Sequence, residues 1–155
     1  YSPEAEQAIR LAGFEGIPFI GYGSLQYLAQ QLHQSPELFL KPSPVQALAA
    51  LRVAMGDQPW PAILEAARIA GVSVQIINLG QKEQPIDLFK PGRSISIHIF
   101  EDSPIGIQAT QAAAQILMKL GLDIQLSAWG ITQNKDKKAA LQELGAQVFC
   151  DVNYF

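Results

Sequence analysis

The sequence predicts an α/β fold, a Rossmann-like three-layer sandwich in which helices cover both faces of a mainly parallel sheet. Short apolar segments alternate with helical patterns along the whole chain. Repeated strand–helix–strand units imply parallel strands, because connections of this length need a helix. With 155 residues and no linker long enough to separate two domains, the chain is expected to form one domain over residues 1–155.

The predicted helices share recognisable start and stop signals. Ser, Pro or Asn stands at most of the starts, and Gly follows most of the ends. Ser2, Pro3 and Glu4, for example, form a start of this kind, and Gly13 ends the same helix. On this basis helices are predicted at 2–12, 24–34, 44–55, 61–70, 103–120 and 134–144.

The predicted strands are short apolar or alternating runs. The clearest lies at 95–99, where three isoleucines alternate with Ser96 and His98. The other strands are predicted at 17–20, 38–40, 72–79, 123–128 and 147–150. Residues 80–93 hold Gly, Pro and charge, which indicates a loop.

Composition and charge exclude several classes of function. The net charge is −3, only 16% of residues are charged, and 17 glutamines supply much of the polarity. The only basic cluster is Lys135, Lys137 and Lys138, so no stripe of positive charge indicates a nucleic-acid partner. No apolar run reaches the ~18 residues of a membrane span. We expect no signal peptide and a cytoplasmic location.

The lone cysteine cannot form an internal disulfide. Cys150 follows Val148 and Phe149, which predicts a small buried hydrophobic residue, and with two histidines it forms no zinc spacing. The chain begins with Tyr1 rather than Met, which favours the interpretation as a processed or truncated piece of a longer protein.

Ligands of open α/β sheets bind beyond the carboxyl ends of the strands, which directs attention to the residues there. Glu101 and Asp102 follow the clearest strand and precede a helix start. Two carboxylates in this position can hold Mg²⁺, and equally they can complement the dipole of the following helix. Asp151 and Asn153 follow the last predicted strand, where an exposed acid is the simpler interpretation.

Two further places could bind an anion. Gly21, Tyr22, Gly23 and Ser24 form a glycine-rich turn before a helix, which suits a phosphate; the alternative is a tight turn with Ser24 as N-cap. The turn fits neither a Walker loop nor a dinucleotide fingerprint. Lys41, before Pro42, can supply a point charge, although a solvated loop lysine is the simpler interpretation.

Residues 99–107, Ile-Phe-Glu-Asp-Ser-Pro-Ile-Gly-Ile, resemble the fourth motif of the haloacid dehalogenase superfamily. The resemblance continues through the strand at 123–128 to Asp151. Upstream, Lys41-Pro42-Ser43-Pro44 is similar to the third motif, and the strand at 17–20 with Ser24 is similar to the second. The spacing between these upstream motifs departs from the family's pattern.

The resemblance implies a Mg²⁺-dependent phosphohydrolase core. In it Gly23 and Ser24 would bind the phosphoryl group of a small phosphorylated substrate, Lys41 would be catalytic, and Asp102 with Glu101 would hold the metal. The family's first motif, a strand followed by Asp-x-Asp, is missing from this sequence. The chain alone is therefore expected to be inactive, and the alternative is a non-catalytic module of the same fold that binds a protein partner.

The resemblance also implies a gap in the sheet. The family's nucleophile strand would lie between the strands at 17–20 and 95–100. It would have to come from sequence upstream of this chain, from another chain or from residues 72–79. Because only the last is available within this sequence, we expect residues 72–79 to form a central strand that pairs with 95–100, with Ser24, Lys41 and Asp102 around one cleft.

Overall fold

A computed structural model describes residues 3–14, 16–72 and 89–150 of the chain. Two compact units make up the chain, Tyr1–Leu88 and Phe89–Phe155, and each is described by itself. The mixed α/β class and the parallel sheet are confirmed. That the whole chain forms one domain stays a prediction.

The described part of the N-terminal unit is helical. Its helices are α1 (Pro3–Leu11), α2 (Tyr22–Gln31), a short 3₁₀ helix (Pro36–Leu38), α3 (Val45–Ala54) and α4 (Pro59–Ile69). α4 packs against both α3 and α2. The core is formed by the apolar stripes of these helices, and its most buried members include Leu25, Leu28, Leu48 and Ile63.

A buried ion pair links the end of α3 to the start of α4. Arg52 donates from Nε and Nη2 to Oδ2 of Asp57, at 2.9 and 2.7 Å, and both side chains are 2% exposed. Oδ1 of Asp57 accepts from the backbone N–H of Gln58, and Gln58 is the N-cap residue of α4. The carboxylate therefore satisfies the guanidinium and also orients the first turn of the next helix.

Residues 17–20 form no strand, which corrects the prediction made from their apolar run. Pro18 lacks an N–H, and the N–H of Ile17 donates to the carbonyl of Phe14 in a turn. The carbonyl of Ile20 accepts from the side-chain amide of Gln46 at 2.9 Å. With these groups occupied or missing, the segment cannot form a regular ladder, and Ile20 is buried as an anchor before α2.

Residues 38–40 were also predicted as a strand, and this prediction is wrong. Pro36 begins the 3₁₀ helix, since its fixed φ favours a helical start, and the N–H of Phe39 donates back to its carbonyl at 3.0 Å. Phe39 is fully buried. Its apolar character therefore reflects core packing at a turn.

The C-terminal unit contains a three-stranded parallel sheet in the order β1-β2-β3. β1 (Ser94–Glu101) pairs with β2 (Asp123–Ile131) over eight residues, and β2 pairs with β3 (Gln147–Phe149) over three. The connections are α5 (Pro104–Lys119) and α6 (Lys135–Glu143). These elements confirm the sequence predictions for residues 95–150 to within a few residues.

Both connecting helices lie on one face of this sheet. Two consecutive crossovers that step in the same direction place their helices on the same side, and α5 contacts both α6 and the strands. Ile99 and Ala128 pack on that side against Ile107, Leu141 and Ala146. Helices on both faces, as in a three-layer sandwich, stay a prediction.

The other face of the sheet carries an aromatic stack. His98 and Phe100 stack on the ring of Trp129 at centroid distances of 5.2 and 4.9 Å. Phe100 is 51% exposed. Trp129 thus packs against two exposed rings of the neighbouring strand.

Two predicted features lie outside the described residues. The strand predicted at 72–79 does so apart from Val72, and Asp151 and Asn153 do so entirely. Cys150 is described, and it is exposed, which corrects its prediction as a buried residue. It stands one position beyond the end of β3, where the sheet no longer covers it.

Within residues 3–14, 16–72 and 89–150, no helix combines the length and apolarity required to cross a lipid bilayer.

We predict that Asp57→Ala lowers the free energy of unfolding by about 3–5 kcal/mol, because it removes the carboxylate that compensates a buried guanidinium. Urea titration followed by far-UV circular dichroism measures this loss. Arg68→Ala is the matched control: Arg68 pairs with Glu65 on α4 but is 67% exposed, so its loss should cost about 1 kcal/mol or less. Equal losses in the two variants would contradict the prediction.

Candidate functional site

The carboxyl edge of the parallel sheet brings two charged elements together. β1 ends at Glu101, Asp102 follows it, and α6 begins beyond the end of β2. Asn134 caps α6 by accepting from the N–H groups of Asp136 and Lys137 at 2.9 and 3.0 Å. Lys137, in the first turn, extends its ammonium to 3.2 Å from Oδ2 of Asp102.

Glu101 lies over the first turn of α5. A Cβ on Gly106 would overlap the carboxyl group of Glu101, so glycine is required there for this approach. A negative charge at this end of a helix is stabilised by the helix dipole. This position is compatible with the helix-start role of Glu101, and it leaves the alternative of a metal ligand open.

Asp102 and Lys137 form an exposed ion pair. Their side chains are 72% and 46% exposed, and pairs of this kind contribute about 0–1 kcal/mol. A divalent cation could displace the ammonium at little cost in free energy. Among the described residues there is no group of three or more His, Cys, Asp or Glu side chains that could form a closed metal cage.

The carboxylates at this edge of the sheet nevertheless have the chemistry of Mg²⁺ ligands. Mg²⁺ in proteins keeps several waters and is held through one or two carboxylates together with substrate phosphate, rather than by an all-protein cage. Glu101 and Asp102 offer two carboxylates at one edge of the sheet. If Mg²⁺ binds, these two residues would hold it, and the ion would supply charge neutralisation for a phosphate group.

Gly23 and Ser24 belong to the beginning of α2. The helix begins at Tyr22 with Gly21 as N-cap and no side-chain cap, so the interpretation of Ser24 as N-cap is wrong. Ser24 is the third helical residue, and its N–H donates to the carbonyl of Gly21 at 3.1 Å. Its hydroxyl is thus not used to cap α2, and both residues line a cavity.

Lys41 lies on an exposed turn between the 3₁₀ helix and α3, joined to Pro42 by a cis peptide bond. Gly23, Ser24 and Lys41 belong to the N-terminal unit, and Glu101 and Asp102 belong to the C-terminal unit. That Ser24, Lys41 and Asp102 surround one cleft stays a prediction.

The cavity that Gly23 and Ser24 line has a volume of about 550 Å³ and lies between α2 and α4. Its remaining lining residues are Gln26, Tyr27 and Gln30 of α2 and Pro59, Trp60 and Ile63 of α4. The rings of Tyr27 and Trp60 meet edge to face at a centroid distance of 4.8 Å. We call this space the α2–α4 cavity.

Sequence analysis missed most of these side chains. The polar stripe of α2, Gln26, Tyr27 and Gln30, lies at helical spacing beside the apolar stripe, and this signal is readable in the sequence. The partner of Asp102 was missed because Lys137 is 35 residues away.

Comparisons with known proteins identify no relative: no protein-family model, no curated protein and no solved structure matches the chain.

We predict that Gly106→Ala has different effects in two backgrounds. In the natural chain the new Cβ displaces the flexible end of the Glu101 side chain from the start of α5. The lost interaction with the helix dipole, about 0.3–1 kcal/mol, offsets the gain from alanine, so stability changes by less than about 0.5 kcal/mol. With Glu101→Ala already present the overlap is gone, and alanine stabilises the helix by about 0.5–1 kcal/mol. Thermal or urea unfolding of the four proteins measures the coupling. A change of equal size and sign in both backgrounds would show that Glu101 does not occupy this space.

Proposed function

We propose that the chain is a phosphohydrolase core similar to the haloacid dehalogenase superfamily, which in the complete protein hydrolyses phosphate esters with Mg²⁺. The observation that carries the proposal is the carboxylate pair at the carboxyl end of β1, with Glu101 seated over Gly106 at the start of α5. The β1-α5-β2-α6-β3 order of parallel strands is compatible with a Rossmann-like sandwich of that family.

Each predicted site residue has a role in this proposal. Gly23 binds the phosphoryl oxygens through its backbone N–H, and Ser24 binds them through its hydroxyl, both at the start of α2. Lys41 stabilises the negative charge that develops on the transferring group. Asp102, assisted by Glu101, holds Mg²⁺ in place of the ammonium of Lys137.

The nucleophile is the missing part. An aspartyl-phosphate route needs a carboxylate to attack phosphorus, and positioning of the substrate cannot replace it. The sequence contains no Asp-x-Asp after a strand. In this proposal the aspartate comes from outside this sequence.

We predict that the purified 155-residue chain does not hydrolyse p-nitrophenyl phosphate, with or without Mg²⁺, because it lacks the nucleophile. Release of p-nitrophenolate measures the rate. Mg²⁺-dependent turnover that Asp102→Ala abolishes would contradict this prediction, whereas turnover that survives Asp102→Ala would identify a contaminant.

We predict that the chain binds Mn²⁺, a spectroscopic substitute for Mg²⁺, at Glu101 and Asp102. Asp102→Asn should weaken binding at least about tenfold, ~1.4 kcal/mol, as measured by electron paramagnetic resonance of the free ion. Lys137→Ala should strengthen binding up to about fivefold, because it removes the competing ammonium of an exposed pair.

Two matched controls separate this site from general charge effects. Asp123→Asn removes a carboxylate at the other end of the sheet, where Asp123 accepts from Ser94, and should leave Mn²⁺ affinity unchanged. Lys138→Ala removes the same charge as Lys137→Ala without removing the Asp102 contact. Equal effects of the paired variants would contradict a Mn²⁺ site at Asp102.

The second candidate is a non-catalytic module of the same fold that binds a protein partner. The Asp102–Lys137 ion pair favours it, because the ammonium neutralises the carboxylate that the enzyme would need for Mg²⁺. The full open reading frame distinguishes the two. An upstream strand that ends in Asp-x-Asp supports the enzyme, and a gene that begins near Tyr1 supports the binding module.

A further inference from the structure

The α2–α4 cavity has the size and the walls of a small-molecule site. Its volume of about 550 Å³ lies within the roughly 300–1,000 Å³ that is typical of ligand pockets. Gly23 and Ile63 are buried and form its floor, whereas Tyr27 and Gln30 are exposed at its rim. A ligand can therefore reach the floor from solvent.

Charge limits what the cavity can bind. Of the described residues that line it, none carries a charge. A charged group placed between these walls would lose hydration without gaining an opposite charge in return. The lining therefore favours a neutral ligand.

The aromatic walls favour a flat ligand. Tyr27 is 50% exposed, although its ring already meets Trp60 edge to face. In an edge-to-face pair one ring presents its edge, so the pair leaves ring faces on which a further ring can stack. The walls thus combine two aromatic side chains in one opening.

The polar side chains favour a ring with hydrogen-bonding edges. Ser24 contributes a hydroxyl and Gln30 a carboxamide, all on the α2 side. Pro59, on the α4 side, has no N–H to donate. A carboxamide presents a donor and an acceptor in one plane, which matches the adjacent acceptor and donor on the edge of an adenine ring.

We propose that the α2–α4 cavity binds a neutral purine ring of the adenine class, stacked on the exposed ring of Tyr27 beside Trp60 and hydrogen-bonded along its edge by the α2 side chains. This proposal needs neither metal nor nucleophile, and it assigns Gly23 and Ser24 to a site for a neutral ring rather than to a phosphoryl group. Adenosine binding here would therefore remove these two residues from the phosphohydrolase proposal, whereas its failure would leave that proposal unchanged.

Adenosine is the probe, and Trp60 is the reporter. The sequence has two tryptophans, so Trp129→Phe leaves Trp60 as the only source of indole fluorescence and keeps an aromatic ring in the stack with His98 and Phe100. In this background we expect saturable quenching by adenosine. Stacking on one aromatic side chain typically contributes a factor of roughly 5 to 150 in affinity.

The test variants and their control all change residues of α2. Tyr27→Ala should weaken adenosine binding about tenfold or more, and Tyr27→Phe should retain it within about threefold, because it keeps the ring. Tyr22→Ala is the matched control, since Tyr22 is a similarly exposed tyrosine of α2 that does not line the cavity. Far-UV circular dichroism confirms that each variant is folded.

Three results would overturn the proposal. They are no saturable change with adenosine up to its solubility limit, an equal loss in Tyr22→Ala and Tyr27→Ala, and D-ribose binding as tightly as adenosine. The last result would place the sugar, rather than the purine ring, in the cavity. If Tyr27→Ala does not fold, Gln30→Ala replaces it, and unchanged adenosine affinity in that variant would count against the proposal.

Discussion

The eight-residue parallel register between β1 and β2 is the constraint on which the candidate site depends. It pairs Glu101 with Gly130 and so places the carboxyl ends of both strands at one edge of the sheet. Because α6 begins just beyond that edge, Lys137 reaches Asp102 across 35 residues of sequence. A shift of one residue would turn Glu101 away from Gly106 and move the isoleucines of β1 to the opposite face.

The N-terminal unit depends on a different kind of constraint, the buried pair of Arg52 and Asp57. Burying two charges is costly unless their geometry is good and their other hydrogen-bonding groups are satisfied. Here one carboxylate oxygen accepts twice from the guanidinium, and the other accepts from the N–H of Gln58. The pair holds the α3–α4 connection in one geometry, and α4 forms one wall of the α2–α4 cavity.

Sequence analysis predicted those helices and strands that have a recognisable start residue or a periodic pattern of apolar residues. The alternating isoleucines identified β1, and Ser103 with Pro104 identified the start of α5. Residues 17–20 were mistaken for a strand because the group that donates to the carbonyl of Ile20, the side-chain amide of Gln46, is distant in sequence. The position of Glu101 and Asp102 was predictable from the end of β1. The contact between Asp102 and Lys137 was not predictable, because it depends on the register of the strands. The α2–α4 cavity was not predictable either, because it depends on how α2 packs on α4.

The Asp102–Lys137 pair and the α2–α4 cavity differ in how exposed their side chains are, and this difference determines what each could bind. The Asp102–Lys137 pair is largely exposed, so solvent screens it and a competing cation or partner can replace the ammonium with little loss of stability. The cavity has the opposite character, since its floor is buried and its described lining is neutral, so shape and hydrogen bonding select its ligand. Affinity for ions should therefore depend on ionic strength at the sheet edge, whereas affinity for a neutral ring in the cavity should not.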